Sequence, residues 1–319
     1  MNSRKLCIWT KGNSPFRVQS FPAEQGRIMT DKRKRRLNWF YLPAVLLMLV
    51  FIAYPLCNAI YLSFFNWNGY SVNKTFIGIS NYKSMFQDST FLSSLRNTLV
   101  YGFVCTILQQ ILGLALALFL NSKFKGRNLV RTVIYLPTMI SSLVMGYIMY
   151  FFFQYNGGVI NDILKIFGME GYDWLGHGAS AILIIVLINS WQFVGISMII
   201  YLAGIQGVSQ SYLEAATVDG ASKWQQFRYI TFPLLLPALA SSVIYNLIGG
   251  LKLYDVIIAL TDGGPAKKTH SLATYIANRY FDAERAGYAA AIGAFSFVMI
   301  MIISMIVNGY FRKKEAEIE

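Results

Sequence analysis

Apolar residues occur along this chain in long blocks rather than at the spacing of amphipathic helices. A helix needs about 20 consecutive apolar residues to cross the hydrocarbon core of a bilayer. Six blocks meet this requirement, so we predict an all-α membrane protein with six transmembrane helices. The blocks cover approximately residues 39–65, 97–120, 132–153, 180–203, 235–258 and 287–311.

The composition also favours a membrane protein. Of the 319 residues, 55% are hydrophobic and 13% are charged, and the charged fraction is about half that of a soluble domain. The net charge of +13 could indicate nucleic acid binding. The Lys and Arg residues lie beside the apolar blocks, however, so we expect the lipid bilayer as a partner and no nucleic acid.

The distribution of basic residues predicts the orientation of the spans. If the N-terminus is inside, the cytoplasmic segments hold 19 of the 28 Lys and Arg residues, which is the bias known for that side of a membrane. Residues 1–38 form a basic cytoplasmic tail that we expect to be disordered. Both termini are then cytoplasmic, and residues 158–168 form a short helix on the outer surface.

The connection between the fourth and fifth spans, about residues 209–234, has the pattern of two short helices. Ser211 and Glu214 have the spacing of a capping box, and Asp219-Gly220 is a stop signal because glycine readily adopts the left-handed conformation of a helix end. Ser222 and Gln225 form a second capping-box pattern, and Pro233 is expected to end that helix.

The first of these helices has an apolar side without an evident partner in the chain. Such a side is typical of a docking surface, although a connector lying on the bilayer surface would show the same pattern. The apolar side consists of Tyr212, Leu213, Ala215, Ala216 and Val218.

The same segment resembles a known family. Glu214-Ala215-Ala216-x-x-Asp219-Gly220-Ala221, followed by Phe227, Ile230, Pro233 and Pro237, resembles the EAA loop of permeases in binding-protein-dependent ABC importers. The Asp-Gly form resembles the carbohydrate-uptake branch, which includes maltose and multiple-sugar permease subunits. Residues 251–265 look like that family's last outer loop, and the similarity extends over about 39–315, the expected permease domain.

The resemblance implies how the chain works with its partners. The first loop helix would be a coupling helix docked in a cleft of an ATPase subunit, where Glu214 pairs with a basic group. Ala215 and Ala216 would permit close approach, and Gly220 would make the turn; Asp219 also belongs to the expected ATPase-coupling residues. The implied partners are a second permease subunit, a pair of ATPase subunits and an extracytoplasmic binding protein, in the cytoplasmic (inner) membrane of a bacterium.

Neither catalysis nor a bound cofactor is expected on this chain. It has no G-x-x-x-x-G-K-[ST] phosphate-binding loop, no HExxH and no CxxC, so we assign no catalytic or metal-binding residue. ATP and Mg would be bound by the partner ATPase.

Polar side chains inside the predicted spans are the candidates for a substrate path, because burying them in a membrane is costly. An aromatic ring beside amide and charged groups suits a sugar. The alternatives are that the amides only join neighbouring helices and that Lys252 and Asp255 pair as structural groups. The candidate residues are Asn189, Trp191, Gln192, Tyr245, Lys252 and Asp255.

The sequence thus predicts a permease subunit of an ATP-driven importer for an oligosaccharide or related sugar, neutral or anionic. The alternative is a stand-alone secondary transporter or channel. Six spans without an inverted repeat, together with the cytoplasmic helix pair, favour the importer.

Overall fold

The computed structural model describes residues 41–122 and 124–317, and these are mostly helical. The predicted tail, residues 1–38, lies outside the described residues. The chain divides into two units, one up to Leu56 and the other from Cys57. Helix α1 (Leu42–Leu62) begins in the described part of the first unit and contains a π-helical turn at Leu49–Ala53.

Three further helices are long and apolar enough to span a membrane without a break. They are α3 (Ser89–Asn121), α7 (Gly178–Gly207) and α13 (Ala286–Ala316). Each covers one of the predicted apolar blocks. The described residues therefore contain four unbroken candidate spans, including α1.

The other candidate spans are two bent helix pairs, so the total is between four and six. In the first pair, α4 (Arg127–Tyr135) continues as a 3₁₀ turn, Leu136–Met139, and meets α5 (Ser142–Phe153) at 98°. In the second pair, the helical stretch Lys223–Leu234, which starts with α9 (Lys223–Gln226), meets α10 (Leu236–Leu251) at 63°.

Proline explains where both pairs bend, because it lacks the backbone donor that a continuing helix requires. Pro137 lies in the 3₁₀ turn that ends the first helix. Pro237 lies in the first turn of α10, directly after the bend.

The predicted fifth span, residues 235–258, is not one continuous helix. Helix α10 ends at Leu251, and α11 (Asp255–Thr261) begins after a non-helical segment at 252–254. Gly249 and Gly250 precede the break, and glycine is a poor helix former. Ser271 Oγ donates to the Leu253 carbonyl over 2.7 Å, which satisfies a backbone group inside the break.

The core of the second unit is built on α3 and α7, with α10 packed against both. Small residues allow this close contact: a methyl group on Gly113 would lie 2.5 Å from Ser197 Cβ. One buried cluster joins α3, α5, α7 and α11, and includes Tyr101, Met145 and Val256.

Short elements fold the connections between the spans. Strands β1 (Phe65–Asn66) and β2 (Thr75–Phe76) pair antiparallel, with Phe65 opposite Phe76. They are a small exception to the predicted all-α fold. Helix α6 (Val159–Ile166) confirms the short helix expected within 158–168. The remaining short helices are α2 (Ser80–Gln87), α8 (Gln210–Val218) and α12 (Leu272–Ala277).

Candidate functional site

A cavity of about 370 Å³ lies at the non-helical segment between α10 and α11, and α3, α5 and α7 also contribute to its wall. We call it the central cavity. Its wall combines aromatic rings, amides and one charge of each sign. It is lined by Gln109, Ser142, Asn189, Phe193, Tyr245, Asn246, Ile248, Gly249, Gly250, Lys252, Leu253, Tyr254 and Asp255.

The break between α10 and α11 places polar backbone groups and side chains at this wall. Non-helical backbone at membrane depth is tolerated where it lines a cavity or is covered by protein. Lys252, Leu253 and Tyr254 form the non-helical segment, and all three line the central cavity. A continuous helix would have kept these backbone groups bonded within the helix.

The structure brings four of the six predicted path residues together. Asn189 reaches the cavity from α7, and Tyr245 reaches it from α10. Lys252 and Asp255 lie on either side of the break. Their shared location does not follow from helical spacing, because no single helix contains Tyr245, Lys252 and Asp255.

Trp191 and Gln192 are not part of the cavity lining. Trp191 is 47% exposed on the surface of α7. Gln192 is fully buried, and its Nε2 donates to the Ile140 carbonyl over 2.9 Å. Gln192 therefore has the contact expected of an amide that joins neighbouring helices. The bond connects Ile140, in the two-residue segment between the 3₁₀ turn and α5, to α7.

Lys252 and Asp255 supply opposite charges to the cavity wall. Both are exposed, and among the described side chains no ion pair joins them. In this structure each charged group is available to solvent or to a molecule in the cavity.

Several cavity residues were missed by the sequence analysis. Gln109 is a polar residue inside the second apolar block and could have been found by the rule that selected Asn189. Asn246 is buried, and its Nδ2 donates to Ser197 Oγ over 2.7 Å. Phe193 and Tyr254 carry no signal in the sequence that separates them from other aromatic residues of the spans.

Helix α8 contains the residues expected to contact an ATPase. Its first helical residue is Gln210, and Ser209 precedes it in an extended conformation. The predicted capping box of Ser211 and Glu214 is therefore wrong, because Ser211 lies inside the helix. Ser211 Oγ instead contacts Ser209 Oγ at 2.8 Å.

The stop signal at the end of α8 is confirmed. Gly220 has a φ of +79°, and its N–H donates to the Thr217 carbonyl over 3.1 Å. The N–H of Ala221 donates to the Ala216 carbonyl over 2.9 Å. This pair of bonds is the Schellman motif, which glycine favours.

The second loop helix starts and ends close to the prediction. Ser222 and Gln225 form the expected capping box. The chain remains helical through a π-helical turn at Phe227–Thr231 and ends at Leu234, one residue beyond Pro233.

Helix α8 exposes an apolar and acidic surface. Tyr212 and Val218 are 58% and 88% exposed, and Glu214 and Ala215 are exposed beside them. Ala216 is half-buried, and Asp219 and Gly220 are exposed at the turn. Within the described part of the second unit, this surface is not covered.

The described residues contain no cluster of His, Cys, Asp or Glu that could hold a metal ion. The polar groups of the central cavity can form hydrogen bonds, and its tyrosine rings can pack on apolar faces.

Comparisons with known proteins identify the family. The model of the family "binding-protein-dependent transport system inner membrane component" matches residues 109–316. The probable starch degradation products transport system permease protein AmyD of Thermoanaerobacterium thermosulfurigenes is 33% identical over 282 residues, covering 88% of this chain and 96% of the relative.

A second relative is the multiple sugar-binding transport system permease protein MsmF of Streptococcus mutans, 33% identical over 281 residues, with 87% and 97% of the two chains covered. A bacterial alginate ABC transporter, solved in complex with an alginate pentasaccharide-bound periplasmic protein, matches with a TM-score of 0.78 and 26% identity. The match covers 89% of this chain and 96% of that one. The chain thus belongs to the family of inner membrane components of binding-protein-dependent transport systems.

Proposed function

We propose that this permease takes up an oligosaccharide or related sugar, delivered by an extracytoplasmic binding protein, and that the central cavity is part of the path. The observation that carries this proposal is the cavity at the break between α10 and α11. Its volume of about 370 Å³ falls within the range of small-molecule sites, about 300–1,000 Å³.

The lining suits a sugar in two ways. Tyr245 and Tyr254 offer aromatic surface for the C–H faces of a sugar ring, and Gln109, Asn189 and Asn246 offer amides for its hydroxyl groups. Lys252 and Asp255 add one charge of each sign. The names of AmyD and MsmF, which refer to starch degradation products and multiple sugars, support a sugar as the substrate.

Helix α8 is the proposed coupling element. Its exposed Tyr212 and Val218 supply apolar contact area, and exposed Glu214 can pair with a basic group of an ATPase. ATP and Mg then belong to a pair of ATPase subunits, and a second permease completes the path across the membrane. The binding protein in the alginate transporter complex supports an assembly of this kind.

The proposed orientation places α8 and both termini in the cytoplasm of a bacterial cell. The charge bias of the sequence supports it. Six spans result if each bent helix pair crosses the membrane once. Trp191, exposed on α7, stays a prediction as a path residue; it would have to act from a surface shared with another subunit.

The proposed path can be tested with a pair of tyrosine variants. The assembled importer in proteoliposomes is supplied with maltotriose, raffinose or alginate trisaccharide, and sugar transported per ATP hydrolysed is measured. We expect Tyr245→Ala to lower this ratio about five-fold, since an aromatic contact contributes about 1 kcal/mol.

Tyr147→Ala is the matched control. Tyr147 lies on α5, is 52% exposed and does not line the central cavity, so its removal should leave the ratio unchanged. Equal ratios for wild type and Tyr245→Ala would contradict the assignment of the central cavity to the path.

A further inference from the structure

Most of helix α8 is exposed. Seven of its nine residues are exposed, and the other two, Leu213 and Ala216, are partly buried. Residues 219–222 connect α8 to α9, and Gly220 within this connection has a left-handed φ of +79°. Because glycine has more backbone freedom than any other residue, this connection alone would allow α8 to change its angle to α9.

Gln226 forms a side-chain link between the two helices. It is the last residue of α9 and is partly buried. Its Nε2 donates to Thr217 Oγ1, in the last turn of α8, over 3.0 Å and to the Ala221 carbonyl over 3.1 Å. Among the described residues, the bond to Thr217 is the one side-chain hydrogen bond that joins α8 to another helix.

Every donor of this link has an acceptor. The Ala221 carbonyl can only accept, so the amide atom beside it is the NH₂ group of Gln226, whose two hydrogens serve one acceptor each. The Thr217 hydroxyl donates its own hydrogen to the Leu213 carbonyl over 2.7 Å. Its oxygen therefore accepts from Gln226 without competition, and the link reaches one turn further into α8.

The link connects α8 to the wall of the central cavity. Gln226 belongs to the helical stretch Lys223–Leu234, which meets α10 at 63°. Tyr245 and Asn246 of α10 line the central cavity. A fixed angle between α8 and this stretch would transmit a displacement of α8 to that wall.

We propose that Gln226 is a positioning residue that fixes α8 to the helical stretch leading to α10, so that a displacement of α8 by an ATPase subunit moves the wall of the central cavity. This inference rests on the proposed function, in which α8 is the coupling element. Without the Gln226 amide, α8 can rotate about Gly220 while it stays docked. ATP hydrolysis then proceeds with less movement of sugar.

The test uses Gln226→Met, Thr217→Val and the double variant in the assembled importer. Each single change removes the bond between the two side chains and keeps a side chain of similar size. Gln225→Met is the matched control, because the Gln225 side chain is exposed and bonds only to Ser222, at the start of its own helix. This control removes an amide that stabilises α9 but leaves the link to α8 intact.

Sugar transported per ATP hydrolysed is measured in proteoliposomes with maltotriose, raffinose and alginate trisaccharide as probes, together with the amount of ATPase that copurifies. Loss of one hydrogen bond should lower the ratio about five-fold in Gln226→Met and in Thr217→Val, with the ATPase content unchanged. The double variant should show the same loss as either single variant, because all three lack the same bond. Gln225→Met should keep the wild-type ratio.

The role of Gln226 would be overturned, with the proposed function intact, by a wild-type ratio in Gln226→Met or by an equal loss in Gln225→Met. Loss of the ATPase from the Gln226→Met complex, or a double variant that shows the product of the two single losses, would overturn it as well. Wild-type importer that transports none of the three probes would overturn the proposed function itself, and this inference with it. The two failures are therefore distinguishable.

Discussion

Asp88 connects distant segments of the chain at one end of α3. Its Oδ1 accepts from the N–H of Thr90 over 2.9 Å and so caps the helix. Its Oδ2 accepts from the hydroxyls of Tyr275 and Tyr288 and lies 3.4 Å from Arg279 Nη2. One carboxylate thereby joins the start of α3 to α12, its following turn and α13.

The environment of Asp88 determines its ionisation. Burial alone would raise the pKa of this carboxyl. Hydrogen bonds from Tyr275, Tyr288 and the Thr90 N–H, with the charge of Arg279, outweigh burial and lower the pKa below its usual value of 3.8. The ionised form is thus favoured in the folded protein, and it stabilises the fold at neutral pH.

We predict that Asp88→Asn lowers the free energy of unfolding by about 1.5–3 kcal/mol at pH 7, because it removes charge-assisted hydrogen bonds. A carboxyl whose pKa is lowered by folding stabilises the folded state at pH values above its unfolded-state pKa. This stabilisation is lost as the pH falls through the folded-state pKa. The thermal midpoint of wild type should therefore fall more below about pH 4 than that of Asp88→Asn.

Asp282→Asn is the control, since Asp282 is exposed and bonds only locally with Asn278. Its thermal midpoint should match that of wild type at neutral pH. A wild-type midpoint for Asp88→Asn would contradict the role assigned to this carboxylate.

At the residue scale, the sequence identified polar groups of the spans but not their contacts. Asn189 was selected because an amide inside an apolar block is costly, and it lines the central cavity. Gln192 was selected by the same rule, but its amide bonds to the Ile140 carbonyl. An amide that lines a cavity and an amide that joins two segments look alike in sequence, because the neighbouring segments decide which of the two roles it takes.

Among the elements, α3 and α10 pack at close range through glycine. A methyl group added to Gly250 would lie 2.8 Å from the Tyr101 carbonyl oxygen and 2.9 Å from Gly102 Cα. Both are backbone atoms that cannot move aside by a rotamer change. Small residues at such crossings allow helix backbones to approach in membranes.

We predict that Gly250→Ala destabilises the protein by about 1–3 kcal/mol through overpacking. Gly249→Ala is the matched control, because nothing lies within 4 Å of a methyl group at that position. Alanine also favours a helix over glycine by about 1 kcal/mol. Thermal midpoints of the assembled protein in detergent should therefore fall for Gly250→Ala and not for Gly249→Ala.

The prediction would be contradicted if both variants changed the midpoint equally, since helix propensity rather than packing would then explain the result.

Local signals predicted the end of α8 and the start of α9, but neither the start of α8 nor the helix break after Leu251. The Schellman end at Gly220 and the capping box of Ser222 follow from residues close in sequence. The break after Leu251 was not predicted, although Lys252 and Asp255 interrupt the apolar block there and Gly249 and Gly250 precede it. A hydroxyl that is distant in sequence, that of Ser271, donates to the Leu253 carbonyl inside this break.

At the scale of the whole molecule, apolar blocks predicted the helices that can span a membrane. Four of them are single helices, and the two remaining blocks correspond to bent pairs with angles of 98° and 63°. Block length does not reveal such bends, although Pro137 and Pro237 lie at them. The EAA-like loop identified the family because its motif requires particular residue types as well as a particular order and spacing.

The most direct test of the account is ATP-driven uptake by the whole assembly. The permease is reconstituted in liposomes with its partner permease, the ATPase pair and the binding protein, and accumulation of maltotriose, raffinose or alginate trisaccharide is measured. We predict accumulation against a gradient only with both ATP and loaded binding protein, and none with Glu214→Lys, which reverses the exposed charge on α8. Uptake by this chain alone, driven by an ion gradient without ATP, would contradict the account.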